Sequence, residues 1–154
     1  MGQLKAERPT RTFDALLEFK DAGALTASAA AQVDSAAKIV DLGWGVWEGE
    51  MFVDVPAIEV DSDDEKYIVG VQISDSATFA SGIYEVASLA LGSAGTAAGD
   101  NLAGDTDMGA GRYRMPFTNQ IADGVTKRYC RVYCTISGTI VTGINFTAYA
   151  VKRQ

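Results

Sequence analysis

Residues 127–138 read KRYCRVYCTISG and carry both cysteines of the chain, Cys130 and Cys134. Two thiols could form a disulfide, supply half of a metal site, or provide a nucleophile. Their spacing argues against each. In a β-strand every second side chain shares a face, so Cys130, Val132, Cys134 and Ile136 form one small, apolar side, with Tyr129, Arg131, Tyr133 and Thr135 on the other. Four strand residues separate the two sulfurs by about 13 Å, beyond the reach of a disulfide. A zinc site takes about four ligands, and the chain has no histidine and no third cysteine. Both thiols are therefore expected to be buried packing groups, and no cofactor or metal is expected.

The lack of histidine also removes the usual general base near neutral pH and every Ser-His or Cys-His pair, so the chain is expected not to be an enzyme. The acids of DSDDE, Asp61, Asp63, Asp64 and Glu65, are of the type that binds calcium, but they lack the spacing and the turn glycine of an EF-hand loop and read as a solvated tip. Asp100, Asp105 and Asp107 sit in a glycine-rich run with no phosphate-loop lysine and read as loop. The sequon at Asn145 falls in an apolar strand and is discounted as a glycosylation site.

The stretch GWGVWEGE is a better candidate for recognition. Trp44 and Trp47 flank glycines at a turn. They either anchor a protein interface, where tryptophan is enriched, stack on sugars, or cap one end of a core. Arg112 and Arg114, on the outer face of one strand, either meet an acidic partner or pair across strands with acids such as Glu59.

A chain of 154 residues with 47% apolar content suits one domain with a sizeable core. No run of about 18 apolar residues appears, and the polar start predicts neither a signal peptide nor a membrane anchor. Ala6 breaks the myristoylation pattern that Gly2 begins. The expected site of synthesis is a cytoplasm. The net charge of −7 is unevenly spread: residues 48–107 hold one base against thirteen acids, while residues 108–154 hold seven bases against Asp123 alone. Such asymmetry marks either two unlike surfaces, favouring an oriented partner over nucleic acid, or oppositely charged strands that lie side by side.

The elements that must position these residues are strands. KYIVGVQIS puts Tyr67, Val69, Val71 and Ile73 on one face. RYRMPFT does the same with Tyr113, Met115 and Phe117, and INFTAYAV with Ile144, Phe146, Ala148 and Ala150. EMFVDVPAIEV alternates until Pro56, which suggests an edge strand or a bulge. GIYEVASLALG is a further candidate strand. The cysteine strand and the last strand read as an antiparallel hairpin. The alanine- and serine-rich run from Ala24 to Ala37 has no amphipathic stripe and reads as an extended arm. Short strands punctuated by turns predict an all-β antiparallel sandwich or jelly roll. Residues 1–12 form a polar, basic extension and residues 13–154 a single domain.

The order of these segments, DALLEFKDAGALTASAA, VDLG, GEMFVDV, VGVQISDSATF, a long small-residue loop, RYCRVYCTISG and a closing apolar strand, resembles the jelly-roll capsid cement (decoration) proteins of tailed bacteriophages, of the Bordetella-phage type. The resemblance spans roughly residues 12–151. It departs from the family pattern at the basic extension with Lys5, Arg8 and Arg11, and at the tryptophan-bearing turn. It implies a non-enzymatic virion protein on the outer capsid surface, a homo-oligomer (dimer or trimer) whose partner is the major capsid protein, with no role for nucleic acid or membrane. Phe13, Leu16 and Leu17, with the basic extension, are then expected to take part in docking or in exchange between protomers, unless this segment is the first core strand. A carbohydrate-binding sandwich of a phage fibre or adhesin, using Trp44 and Trp47 as a platform, is the alternative.

Overall fold

The alternation around the cysteines is realised in a computed structural model, which describes residues 14–93 and 109–153. In chain order the strands are β1 (Glu18–Lys20), β2 (Ala24–Leu25), β3 (Ala29–Ala30), β4 (Gln32–Val33), β5 (Ala36–Ala37), β6 (Val40–Asp41), β7 (Glu48–Ile58), β8 (Lys66–Ser74), β9 (Tyr84–Gly92), β10 (Gly111–Thr118), β11 (Gln120–Ala122), β12 (Val125–Thr126), β13 (Tyr129–Ser137) and β14 (Ile144–Lys152). A single 3-10 turn at Ala15–Leu17 precedes β1, and there is no α-helix among the described residues.

β7, β8, β10, β13 and β14 each bury residues on the face that their apolar residues define, whereas β9 is buried only at Leu91 and Gly92. Cys130, Val132 and Cys134 of β13 stand opposite Ile73, Val71 and Val69 of β8, all of them fully buried. On its other side β13 pairs with β3 and β6, and β8 pairs with β9, giving the order β3/β6-β13-β8-β9. The second sheet runs β1/β2-β14-β7-β10 and turns Met51, Val53, Val55, Met115, Phe117, Ile144, Phe146, Ala148 and Ala150 toward the first. Each large side chain so buried contributes about 1.5–3 kcal/mol. All pairings are antiparallel.

Counting β1/β2 and β3/β6 as one interrupted strand each, and leaving aside the ribbons β4-β5 and β11-β12, eight strands remain. Their order is 1-8-3-6 in one sheet and 2-7-4-5 in the other, the double Greek key of a jelly roll. The alanine-rich run is therefore not an arm. It forms the interrupted edges of both sheets, with Ala31 buried between them and its N–H donated to the Val132 carbonyl at 2.9 Å.

One further expectation is corrected, and of the two alternatives raised by Pro56 the bulge holds. β13 and β14 do not form a hairpin, because they belong to opposite sheets. Each has a complete apolar face, and the crossing at residues 138–143 lets both faces meet the same core. Gly143 is required in that crossing: it has φ 73°, and a Cβ there would overlap the Leu25 carbonyl. β7 is not an edge strand, since it lies between β14 and β10. Pro56 instead sits where pairing with β10 has ended at Val55 and where the register with β14 shifts between Asn145 and Thr147. The bulge accommodates its missing donor.

Candidate interaction surface

The two tryptophans are separated by the fold. Trp47, 5% exposed, lies against Phe117 with ring centres 4.9 Å apart and closes one end of the core. Its ring occupies the space that a side chain at Gly49 would fill. Trp44 is 84% exposed. The paired sugar platform is thus not formed, and only Trp44 is available to a partner.

What holds Trp44 outward is a set of polar contacts that no local pattern announces. Asn119, fully buried, accepts the Trp47 backbone N–H through Oδ1 at 2.7 Å and donates Nδ2 to the carbonyls of Gly45 at 2.9 Å and Lys127 at 2.8 Å. It ties the β6–β7 connection to the β11-β12 ribbon. Arg128 donates Nε to Asp41 Oδ1 at 2.9 Å and a terminal nitrogen to Oδ2 at 2.6 Å. Its guanidinium lies 4.8 Å from the centre of the Trp44 ring and 5.3 Å from that of Tyr129. These hydrogen bonds, with one from the Gly43 N–H, hold the Asp41 carboxyl down at about 2. Lys127 pairs with Asp75 at 2.7 Å and lies 5.5 Å from the Tyr84 ring centre. Along the same outer face Arg131 stacks over Phe79 and Tyr133 and donates to Gln72 at 2.9 Å.

Arg112 and Arg114 point outward as expected, and their partners are Asp54 at 2.9 Å and Glu50 at 3.6 Å on the neighbouring β7. Basic and acidic strands do lie side by side here. Glu59, the acid expected to pair with them, is instead buried at the opposite end. There its carboxylate accepts the backbone N–H groups of Val141, Thr142 and Gly143 at 2.7–2.9 Å, which lower its pKa despite desolvation.

The DSDDE segment is also not wholly solvated. Asp61 and Asp63 are exposed, Asp64 accepts from the Thr139 N–H and hydroxyl, and Glu65 is fully buried, accepting the Ser62 N–H at 2.6 Å. Near these acids the Tyr67 hydroxyl is buried with no hydrogen-bond partner among the described residues, and its pKa is pushed to about 12 by burial first and the Glu59 and Glu65 carboxylates next.

Leu17 packs partly against the core, whereas Leu16 is 73% exposed. Lys5, Arg8, Arg11 and Phe13, like Asp100, Asp105 and Asp107, lie outside the described residues. Both thiols are raised by burial, Cys134 to about 12, which removes the thiolate that nucleophilic chemistry needs. Asn145 accepts the Gly23 N–H at 3.0 Å. Sequence reading missed Lys20, which is buried, donates to the carbonyls of Asp21 and Gly23 and lies over the Phe146 ring at 4.9 Å. Desolvation lowers its pKa. No family model and no curated protein matches the chain.

Proposed function

We propose that this protein is a non-enzymatic component of a bacteriophage virion, attached to the outside of an icosahedral shell, where it cements neighbouring subunits of the major capsid protein. The observation that carries the reading is the segment order along the chain, which resembles that of the jelly-roll cement proteins and runs through a 1-8-3-6/2-7-4-5 sandwich. Supporting it, the chemistry-bearing residues are spent on structure: the thiols are buried and protonated, and no histidine is present.

The physics of such a role is mass action. A ligand that binds only the assembled shell stabilises it by about 2.7 kcal/mol per site at a hundredfold excess over its Kd. A copy that touches two capsid subunits makes its second contact intramolecular, so modest contacts suffice. A stiff sandwich then carries load between them.

The test is direct. Purified particles should contain this chain in a fixed ratio to the major capsid protein. Particles assembled without it should release their genome at lower temperature and recover when it is added back. Virions free of the polypeptide, or equally heat-resistant without it, would rule the proposal out.

A further inference from the structure

Arg112, Arg114 and Arg128 each meet a carboxylate, whereas Arg131 on β13 meets none among the described residues. It is nonetheless firmly held. Its Nε donates to Gln72 Oε1 at 2.9 Å, and its guanidinium lies 4.4 Å from the ring centre of Phe79 and 5.0 Å from that of Tyr133. Phe79 is buried and has φ 54°, a left-handed conformation that a bulky residue seldom adopts. Serines impose it: the Phe79 N–H donates to the Ser76 carbonyl at 3.0 Å, the Ala80 N–H to the Ser76 hydroxyl at 3.2 Å, and the Ser74 hydroxyl to the Ser81 carbonyl at 2.8 Å. Strain of this kind clusters at binding sites. The terminal nitrogens of Arg131 and Nε2 of Gln72 donate to nothing among the described residues, yet they reach the surface, since the Tyr67 hydroxyl is the only buried side-chain atom there without a partner. Desolvation pulls the Arg131 pKa down, and no carboxylate restores it.

We infer that Arg131, Gln72 and Glu85 form a binding site for a small hydroxylated carboxylate, in chemical class a sugar acid. The registers set the three side by side on β13, β8 and β9, strand to strand about 4.8 Å apart. The planar fork of a guanidinium takes a carboxylate through two parallel hydrogen bonds. With Oε1 engaged by Arg131, Gln72 has its Nε2 donors left to offer, and Glu85 offers acceptors alone. The Glu85 carboxylate lies over Gly70, in the space that a side chain there would fill. A hydroxyl meets both demands at once, accepting from Gln72 and donating to Glu85, which an ammonium group cannot do. The other charges around this face are Asp41 and Asp75, held by Arg128 and Lys127, Lys38 on the connection into β6, and Lys66 at the other end of β8. One unpaired guanidinium beside one unpaired carboxylate favours a monoanion, because Glu85 repels a phosphate dianion. Since the guanidinium is already ordered by two rings and Gln72, binding costs little conformational freedom.

The site is independent of capsid cementing, and its test leaves that reading untouched. Nitrogen-15-labelled protein is titrated with sodium glucuronate and, at matched ionic strength, with sodium acetate, glycine, glucose, inorganic phosphate and sodium chloride. Glucuronate should give a saturable shift of the Arg131 Nε–H and of the Gln72 and Glu85 amides, with a dissociation constant at least about 10-fold below that of any other probe. Arg131→Lys keeps the charge but not the fork, and should weaken glucuronate at least about 10-fold. Arg114→Lys on the other sheet should leave it unchanged. Shifts with glucuronate no larger than with sodium chloride, glucose, acetate, glycine or phosphate bound as tightly, or a folded R131K that binds like the parent would each overturn the site. Should R131K fail to fold, the probe series on the parent decides by itself.

Discussion

The guanidinium of Arg128 grips Asp41 through two hydrogen bonds, 2.9 and 2.6 Å, while lying 4.8 Å from the Trp44 ring centre. One side chain thus fixes the end of β6, the start of β13 and the exposed indole between them. It is a bidentate, charge-assisted contact of the kind that resists rearrangement, which accounts for an exposed tryptophan with a defined position.

This relationship sets an acid dependence. The Asp41 carboxyl is held at about 2, below its ordinary 3.8, chiefly by the Arg128 hydrogen bond. Its folded-state pKa is depressed, so its contribution is complete above pH 4 and is lost as pH falls toward 2. Thermal melts at a series of pH values should show Asp41→Asn less stable than the parent at pH 5, with the gap closing by pH 2. A gap that persists at pH 2 would show that shape, not charge, holds the contact.

Tyr67 makes the opposite kind of prediction. Its ring is core, while its hydroxyl is buried without a partner among the described residues. An unsatisfied buried hydroxyl costs free energy that phenylalanine avoids. Tyr67→Phe should leave stability to urea unchanged or raised. Tyr67→Ala should cost about 3–5 kcal/mol, the range for emptying an aromatic core position. A clear loss in the phenylalanine variant would mean that the hydroxyl is bonded in solution.

How much of this was legible beforehand depends on strand length. Over nine residues, β8, β13 and β14 each repeat the two-residue period often enough to declare a buried face, and the residues so assigned are buried except Ile136, which is half-buried. β2 to β5 are two-residue pieces built largely of alanine, too short and too uniform to show any period, so they read as an arm. Alternation also says which residues face the core but not from which side, and that ambiguity produced a hairpin where the chain crosses between sheets. Trp44 and Trp47 are the same residue type three positions apart. Their separate fates depend on Gly45 at φ 113° and on Asn119, 72 positions beyond Trp47, which no local pattern contains.

The thiols give an alkaline prediction with its sign fixed. Burial raises both cysteines, Cys134 to about 12, and Tyr67 likewise to about 12. Groups raised on folding contribute stability that is complete below their unfolded values, 9 and 10, and disappears as pH climbs toward 12. Lys20, lowered by desolvation, acts in the other direction as pH nears 10.5. In the native protein neither thiol should react with Ellman's reagent at pH 8, and both should react in urea. Rapid labelling of the native chain would show that β13 opens readily.

Glu59 offers the sharpest local test, because one carboxylate tethers the crossing between the sheets. Oε2 accepts the N–H groups of Val141, Thr142 and Gly143 at 2.9, 2.7 and 2.8 Å, and Oε1 shares the Val141 N–H at 3.1 Å. Glutamine can keep its oxygen in the Oε2 place but loses the charge that strengthens each bond and sets an amide against the Val141 N–H. Alanine leaves three backbone donors unpaired at a partly buried turn. Amide exchange at residues 141–143 should therefore quicken in the order parent, E59Q, E59A, while the amides of β13 facing β8 stay slow. The melting temperature should fall by several degrees for E59A. Because the Glu59 pKa is lowered in the fold, its contribution is complete above pH 4.5 and fades on acidification, so the parent and E59Q should converge below that pH. Equal exchange at 141–143 in all three proteins would show that the turn is held by its own backbone and that the carboxylate is incidental.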